Sequence, residues 1–488
     1  MAAKKEEYGI VYSGVPVKVS IAMVGPKQIY ALELPAFEDG TTALMEKIKT
    51  QAVSRMGADG GDSTGERIRE EFKRELSTIV DTRMGALPES ERAKIIAKIC
   101  SEATGLGPIE WILSDSKIEE IVVNNEKENI WVYHKNHGWL ETNIRISNKD
   151  TLENYAKKIG RDVGRDLSIL NPLLDAQLPS GDRANAILRP ISDKGVNMTI
   201  RKFAAEPWVF TDFIKNGTVN YDVLALVWLA MQYEMNVLVS GGTASGKTSF
   251  LNIIMPFIQP NHRIVSIEDT RELQLPSFLY WTPLSTRQPN PEGKGEVDMG
   301  DLLVNSLRMR PDRIVVGEVR RREQAQIMFE AMHTGHSVYS TIHADTCNQT
   351  FRRLISEPIA VPMGMIDAVH LNVVMIRDRR RGIRRIYEVG EILKRDIGEA
   401  GDYDVNIMYR WSPRTDEIVE NQESARLFEE ISRHTALTDS EIKKDLGEKK
   451  AILKWAVDNK VDNLEKVGAL MNNYYLEYEQ LLKDLKIS

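Results

Sequence analysis

One stretch restricts what this chain can become more than any other. Residues 237–240 are a short apolar run, residues 241–248 read GGTASGKT, and helix-forming sequence starts at Thr248. The pattern G-x-x-x-x-G-K-[ST] is met by Gly241, Gly246, Lys247 and Thr248. Glycines let a backbone close around an anion with its N–H groups turned inward. A helix starting there aims its positive end at the same point. The candidate anion-binding residues are therefore Gly241, Gly242, Thr243, Ala244, Ser245, Gly246, Lys247, Thr248 and Ser249.

Such a loop needs a sheet to carry it. β-Branched runs at 263–268, 313–319 and 337–343 alternate with helical segments. That alternation predicts an α/β domain with a parallel-rich sheet and right-handed crossovers. RIVVGE at 313–318 ends on Glu318, and RIVSIED at 263–269 ends on Glu268 and Asp269. Ligands collect at the carboxyl ends of strands in such sheets. Gly317 stands where P-loop proteins commonly carry an aspartate. A phosphate cradle with two acidic strand ends suits metal-assisted attack of water on a γ-phosphate, so ATP and Mg²⁺ are expected. Thr248, Glu318 and Asp269 are the metal candidates. His336 and His343 flank the run in TGHSVYSTIH, and His343, at the strand's end, could reach a nucleotide. His333 reads as a structural hydrogen-bonder.

Composition narrows the alternatives. Of 488 residues 42% are hydrophobic and 28% charged, which suits folded domains rather than disorder. Cys100 and Cys347 belong to no CxxC pair, so neither a disulfide framework nor a zinc site is expected. The first residues lack the apolar core of a signal peptide. No window reaches the ~18 consecutive apolar residues of a membrane span. The nearest approach, 223–239, is broken by Gln232, Glu234 and Asn236. A cytoplasmic protein, peripheral at any membrane, is the expectation. The net charge of −7 and a single basic cluster, RDRRRGIRR at 377–385, give little support to a nucleic-acid track with stacking aromatics. A RecA-like nucleic-acid translocase is thus the alternative reading. A nucleotide-gated scaffold without hydrolysis is a third.

Along the chain, residues 1–85 form a helical head with short strands near 17–29, helices at 42–55 and 67–81, and a loop at 57–66. Residues 86–214 read as an α/β domain with a hairpin turning at His137-Gly138. Residues 215–222, beginning KNGTVN, are the candidate linker. Residues 223–392 carry the P-loop. Residues 393–488 form a mostly helical extension, with capping-box spacing at Thr438 and Glu441.

Taken together, GLGPIEWIL (105–113), LPSGDRANA (178–186), TIRKF (199–203), GGTASGKT, SIEDTREL (266–273), EGKGEVDM (292–299), LRMRPDRIVVGEVR (307–320) and TGHSVYSTIHAD (334–345) resemble the ATPases of the type II/type IV secretion superfamily, specifically the archaeal branch. The resemblance covers 105–392. It implies a RecA-like motor domain and a ring-shaped homohexamer. It also implies the work of building an archaellum or type IV pilus, or related secretion. An integral-membrane platform protein and other cytosolic motor components are the implied partners, and nucleic acid is not. Glu268 and Asp269 fall in the family's Asp box, Gly317-Glu318 in its atypical Walker B, and His336 and His343 in its His box. Arg183 and Arg201 fall where arginines complete a neighbour's nucleotide site, and Arg320 is a further candidate. One glutamate would orient water and the other hold Mg²⁺ through water. Glu268 in the first role is the working assignment, and the swap remains open.

Overall fold

A computed structural model describes residues 6–56, 65–203, 207–290, 292–394 and 403–486. Its contacts divide the chain between residues 205 and 206 into two units.

The first unit is built on a nine-stranded sheet. Its strands are β1 (Glu6–Tyr12), β2 (Val15–Val24), β3 (Lys27–Leu32), β4 (Ile118–Val123), β5 (Trp131–His134), β6 (Gly138–Thr142), β7 (Leu173–Gln177), β8 (Arg183–Ile187) and β9 (Asn197–Arg201). They lie in the order β1-β2-β3-β6-β5-β4-β9-β8-β7. Strand β2 alternates buried Val15, Val17, Val19 and Ile21 with more exposed residues, the period-two signature of a half-covered sheet. The expected hairpin is present: β5 pairs antiparallel with β6, and Gly138 takes φ +71° at its turn. The head is not a separate domain. β3 joins β6 in parallel, with Ile29 opposite Glu141 and Tyr30 opposite Thr142. Helices Asp39–Arg55, Gly65–Met84 and Glu89–Ala103 bury Ile48, Phe72, Leu76 and Ile99 together in a core of their own. Of the loop expected at 57–66, residues 57–64 lie outside the described residues.

The second unit carries the P-loop. Its strands are β10 (Val237–Gly241), β11 (Arg263–Glu268), β12 (Tyr280–Ser285), β13 (Arg313–Val316), β14 (Ser337–Ile342), β15 (Leu371–Asp378), β16 (Ile383–Lys394), β17 (Tyr403–Ser412) and β18 (Glu417–Glu420). The order is β12-β11-β13-β14-β10-β15-β16-β17-β18. The first six are parallel and the last three are added antiparallel. Strands β10, β13 and β14 are buried at every residue, as parallel strands covered on both faces must be. Val237 and Val239 face one core while Leu238 faces the other.

Two boundaries differ from expectation. Residues 215–222 are no linker between units. Phe210, Phe213 and Val219 are buried in the second unit's core, and Asn220 caps the helix Tyr221–Gln232 by accepting from Val223 N. The polar sequence there marks a tight turn, since Gly217 takes φ +73°. The C-terminal extension is likewise part of the P-loop unit. β17 completes its sheet, and Ile442, Ile452, Leu453 and Met471 pack with Trp228 and Phe257. Glu391, fully buried on β16, accepts from the backbone N–H groups of Ala425, Arg426 and Leu427, from Asn406 Nδ2 and from Ser424 Oγ. Buried Lys449 pairs with Asp445, donates to Tyr474 Oη at 3.0 Å and lies 5.3 Å from the Trp228 ring centroid. The capping box at Thr438 and Glu441 starts the helix Asp439–Asp458, as expected.

Candidate functional site

The glycine loop emerges from β10 and opens into the helix Lys247–Ile254. Gly241 (φ +151°) and Gly246 (φ +99°) turn it, and Ala244 also takes a left-handed φ of +59°. A Cβ at Gly241 would strike Met375 O and would lie 2.6 Å from Ser245 Oγ, so no larger residue fits the cradle there. Lys247 folds back into the loop and donates to Gly241 O (2.9 Å) and Gly242 O (3.1 Å). Burial lowers its pKa, with the Glu318 charge opposing that shift. Ser245 Oγ is buried without a partner.

Parallel register brings the acids beside the loop. Gly317 is tied between its neighbours, donating to Ile267 O on β11 while its carbonyl accepts from Thr341 Oγ1 on β14. Glu318, two residues beyond β13, is thereby held near His343, one residue beyond β14. His343 Nε2 lies 2.8 Å from Glu318 Oε1, off the direction of a hydrogen bond. Its Nδ1 lies 3.5 Å from Lys247 Nζ. The His343 pKa is lowered, first by burial and then by the Lys247 charge.

Glu268 ends β11 and is only 3% exposed. Its Oε1 accepts from the N–H groups of Glu272 and Leu273, while Oε2 is buried and unpartnered. Burial pushes its pKa up to about 7. An added Cβ at Gly317 would sit 3.4 Å from Glu268 Cγ, which places the two acidic strand ends side by side.

Arg320 engages its own chain's acids. Its guanidinium contacts Glu318 Oε2 at 2.6 and 3.0 Å and Asp269 Oδ2 at 3.1 Å. Glu318 and Asp269 thus converge on an arginine of their own chain. His336 precedes β14, at the end of the sheet opposite the loop, where its Nδ1 lies 3.2 Å from Ala331 O and from Thr334 Oγ1. A six-residue strand separates it from His343. Arg183 and Arg201 sit opposite each other on β8 and β9 in the first unit, both exposed. Arg183 also grips Asp175 at two points, 2.9 and 2.6 Å.

Two residues at the loop went unread in the sequence. Asp345 Oδ1 would lie 3.2 Å from a Cβ at Gly242. Arg384 Nε donates to Ala244 O at 3.2 Å. Arg384 was visible only as part of the basic run 377–385, and no spacing links it to the loop.

No described group of three or more His, Cys, Asp or Glu could hold a metal by itself. The donor set suits Mg²⁺ beside a phosphate instead, where one hydroxyl and carboxylate-bound waters complete the shell. The buried, unpartnered Glu318 Oε1 is consistent with that.

A buried parallel sheet with this glycine cradle at the carboxyl end of a strand defines a P-loop protein. The family model described as type II/IV secretion system protein matches residues 102–389, and the chain belongs to that family. An uncharacterized protein of Methanocaldococcus jannaschii is 36% identical over 383 residues, covering 78% of this chain and 66% of its own length. The chain spans only 32% of a second relative from that organism. The type IV secretion system protein PtlH of Bordetella pertussis is 30% identical over 322 residues, covering 58% of this chain and 92% of itself. Among solved structures, the Legionella pneumophila ATPase DotB aligns with a TM-score of 0.42 and 16% identity, covering 77% of this chain and 93% of that one.

Proposed function

We propose that the protein is a Mg²⁺-dependent ATPase whose cycle drives a filament-assembly or secretion machine at a membrane. The observation that carries the reading is Lys247, seated inside a glycine cradle, with His343 and Glu318 on one side of it and Glu268 offering a free buried oxygen. On binding ATP, Lys247 exchanges its two loop carbonyls for phosphate oxygens, and the loop's N–H groups supply the remaining donors. Glu268 Oε2 takes the proton of the attacking water, for which a pKa near neutrality is well matched. Thr248, Glu318 and Asp269 would hold Mg²⁺, which when bound neutralises charge on the phosphates. His343 reports the state of Lys247 to Glu318.

The family and the relative named as a type IV secretion protein support a secretion or pilus-type machine. Within that class we propose a homohexameric ring that turns hydrolysis into domain motion for an archaellum-like or type IV pilus-like filament. Arg183 and Arg201 of one subunit would serve the next subunit's site. The ring would act on an integral-membrane platform protein and other motor components, from the cytoplasmic face of the membrane and without nucleic acid. No described helix is long and apolar enough to cross a membrane.

Phosphate release from ATP with Mg²⁺ tests the chemistry. Wild-type protein should turn over and Lys247→Ala should not. Purified protein that retains no labelled adenine nucleotide would overturn the reading.

A further inference from the structure

The basic run at 377–385 has a definite place in the fold. It is the turn between β15 and β16, closed by Asp378 Oδ1, which accepts from Arg380 N and Arg381 N. Arg385 points inward, pairing twice with Asp416 at 2.9 Å and donating to Asn216 O. Arg379, Arg380 and Arg381 are exposed at the tip. Arg384 is different, because it reaches the glycine loop. Strand β15 runs parallel to β10 with Met375 opposite Gly241, and β16 returns with Arg384 opposite Arg377, so Arg384 stands just beyond the loop. Its Nε donates to Ala244 O, and its Cδ would lie 3.4 Å from a Cβ at Gly246. Ala244 and Gly246 are the two left-handed residues of the loop's distal half. No carboxylate among the described residues pairs with this guanidinium.

The strand order separates Arg384 from the reacting groups. Glu318 follows β13 and His343 follows β14, on one side of β10. Arg384 lies on β16, on the other side. We propose that Arg384 is a second cation of the phosphate cradle, binding the phosphates that ADP and ATP share and bracing Ala244 beneath them, without acting in phosphoryl transfer. This rests on the ATPase reading above. Arginine suits the role because one N–H can hold the carbonyl while the rest of the fork stays available to phosphate oxygens.

The test compares full-length wild type with Arg384→Ala, Arg384→Lys and Arg380→Ala, measuring affinity for fluorescent ADP and for a non-hydrolysable ATP analogue with Mg²⁺. Arg384→Ala should weaken both by roughly ten-fold, the worth of one charge-assisted contact. KM for ATP should rise in proportion, with kcat at saturation within about two-fold of wild type. Arg384→Lys should recover part of the affinity, and Arg380→Ala should match wild type. Unchanged affinity in Arg384→Ala would overturn the proposal. So would a loss confined to the ATP analogue, a fall in kcat alone, or a loss that Arg384→Lys leaves unrepaired while the melting temperature falls. Wild-type protein that binds neither nucleotide would fail at the ATPase reading itself, a result distinct from all of these.

Discussion

His343 stands between Lys247 and Glu318, with Nδ1 3.5 Å from the Lys247 ammonium and Nε2 2.8 Å from Glu318 Oε1. The imidazole faces a cation and an anion at once. Burial and the Lys247 charge both favour its neutral form, so its pKa lies below the usual histidine value. A neutral ring presents the Nδ1 lone pair to the lysine, while Nε2 stands close to Glu318 Oε1 without hydrogen-bonding to it.

Glu318→Gln tests the acid side of this arrangement. The substitution keeps the shape and removes the charge that faces Arg320 and would hold the proposed Mg²⁺. Nucleotide should still bind, while phosphate release should fall by roughly a hundred-fold or more. Parallel binding and phosphate-release assays read both. Wild-type turnover in this variant would remove Glu318 from the site.

Glu268 makes a pH-dependent prediction. Its folded pKa of about 7 lies above the ordinary carboxylate value because the group is buried. The folded chain therefore holds this proton more tightly than the unfolded chain. The stability so gained is complete below about pH 4.3 and is lost as pH rises through about 7. Glu268→Gln should flatten the decline in melting temperature between about pH 4.5 and 7 and abolish hydrolysis. In the wild type, kcat/KM should rise as pH passes through about 7 and the carboxylate deprotonates. Identical melting profiles in both proteins would argue against a raised pKa.

Arg201 belongs to the first unit, on an exposed row with Arg183. If it serves a neighbouring subunit, Arg201→Ala and Lys247→Ala proteins should each be inactive alone and complement when mixed. At equal proportions about one quarter of wild-type turnover is expected in a closed ring, where half the loops are intact and half their neighbours carry the arginine. No recovery in rings shown to be mixed would exclude a role in trans.

Glu391 anchors the C-terminal helices through a carboxylate that accepts from three backbone N–H groups and two side chains. Glu391→Ala leaves those donors buried and unpaired, so it should destabilise the second unit by about 3 kcal/mol or more. Denaturant titration measures this. A change under about 1 kcal/mol would mean that water reaches the cavity and replaces the carboxylate.

Sequence alone determined the local part of this protein. The loop 241–248, the apolar strands that feed it and the acids Glu268, Asp269 and Glu318 are all legible, because their chemistry is set by contiguous residues and strand periodicity. Tertiary structure decided what depends on register between distant segments. Arg320 turned inward to Glu318 and Asp269, and His343 came within reach of both Lys247 and Glu318. Arg384 arrived at Ala244 from 140 residues away. The polar run at 215–222 proved to be a turn inside the second unit, because Val219 and the preceding Phe213 found a core to enter. Composition reports a segment's own preferences, whereas placement follows from which buried surfaces it can share, and those surfaces exist only once the sheet has formed.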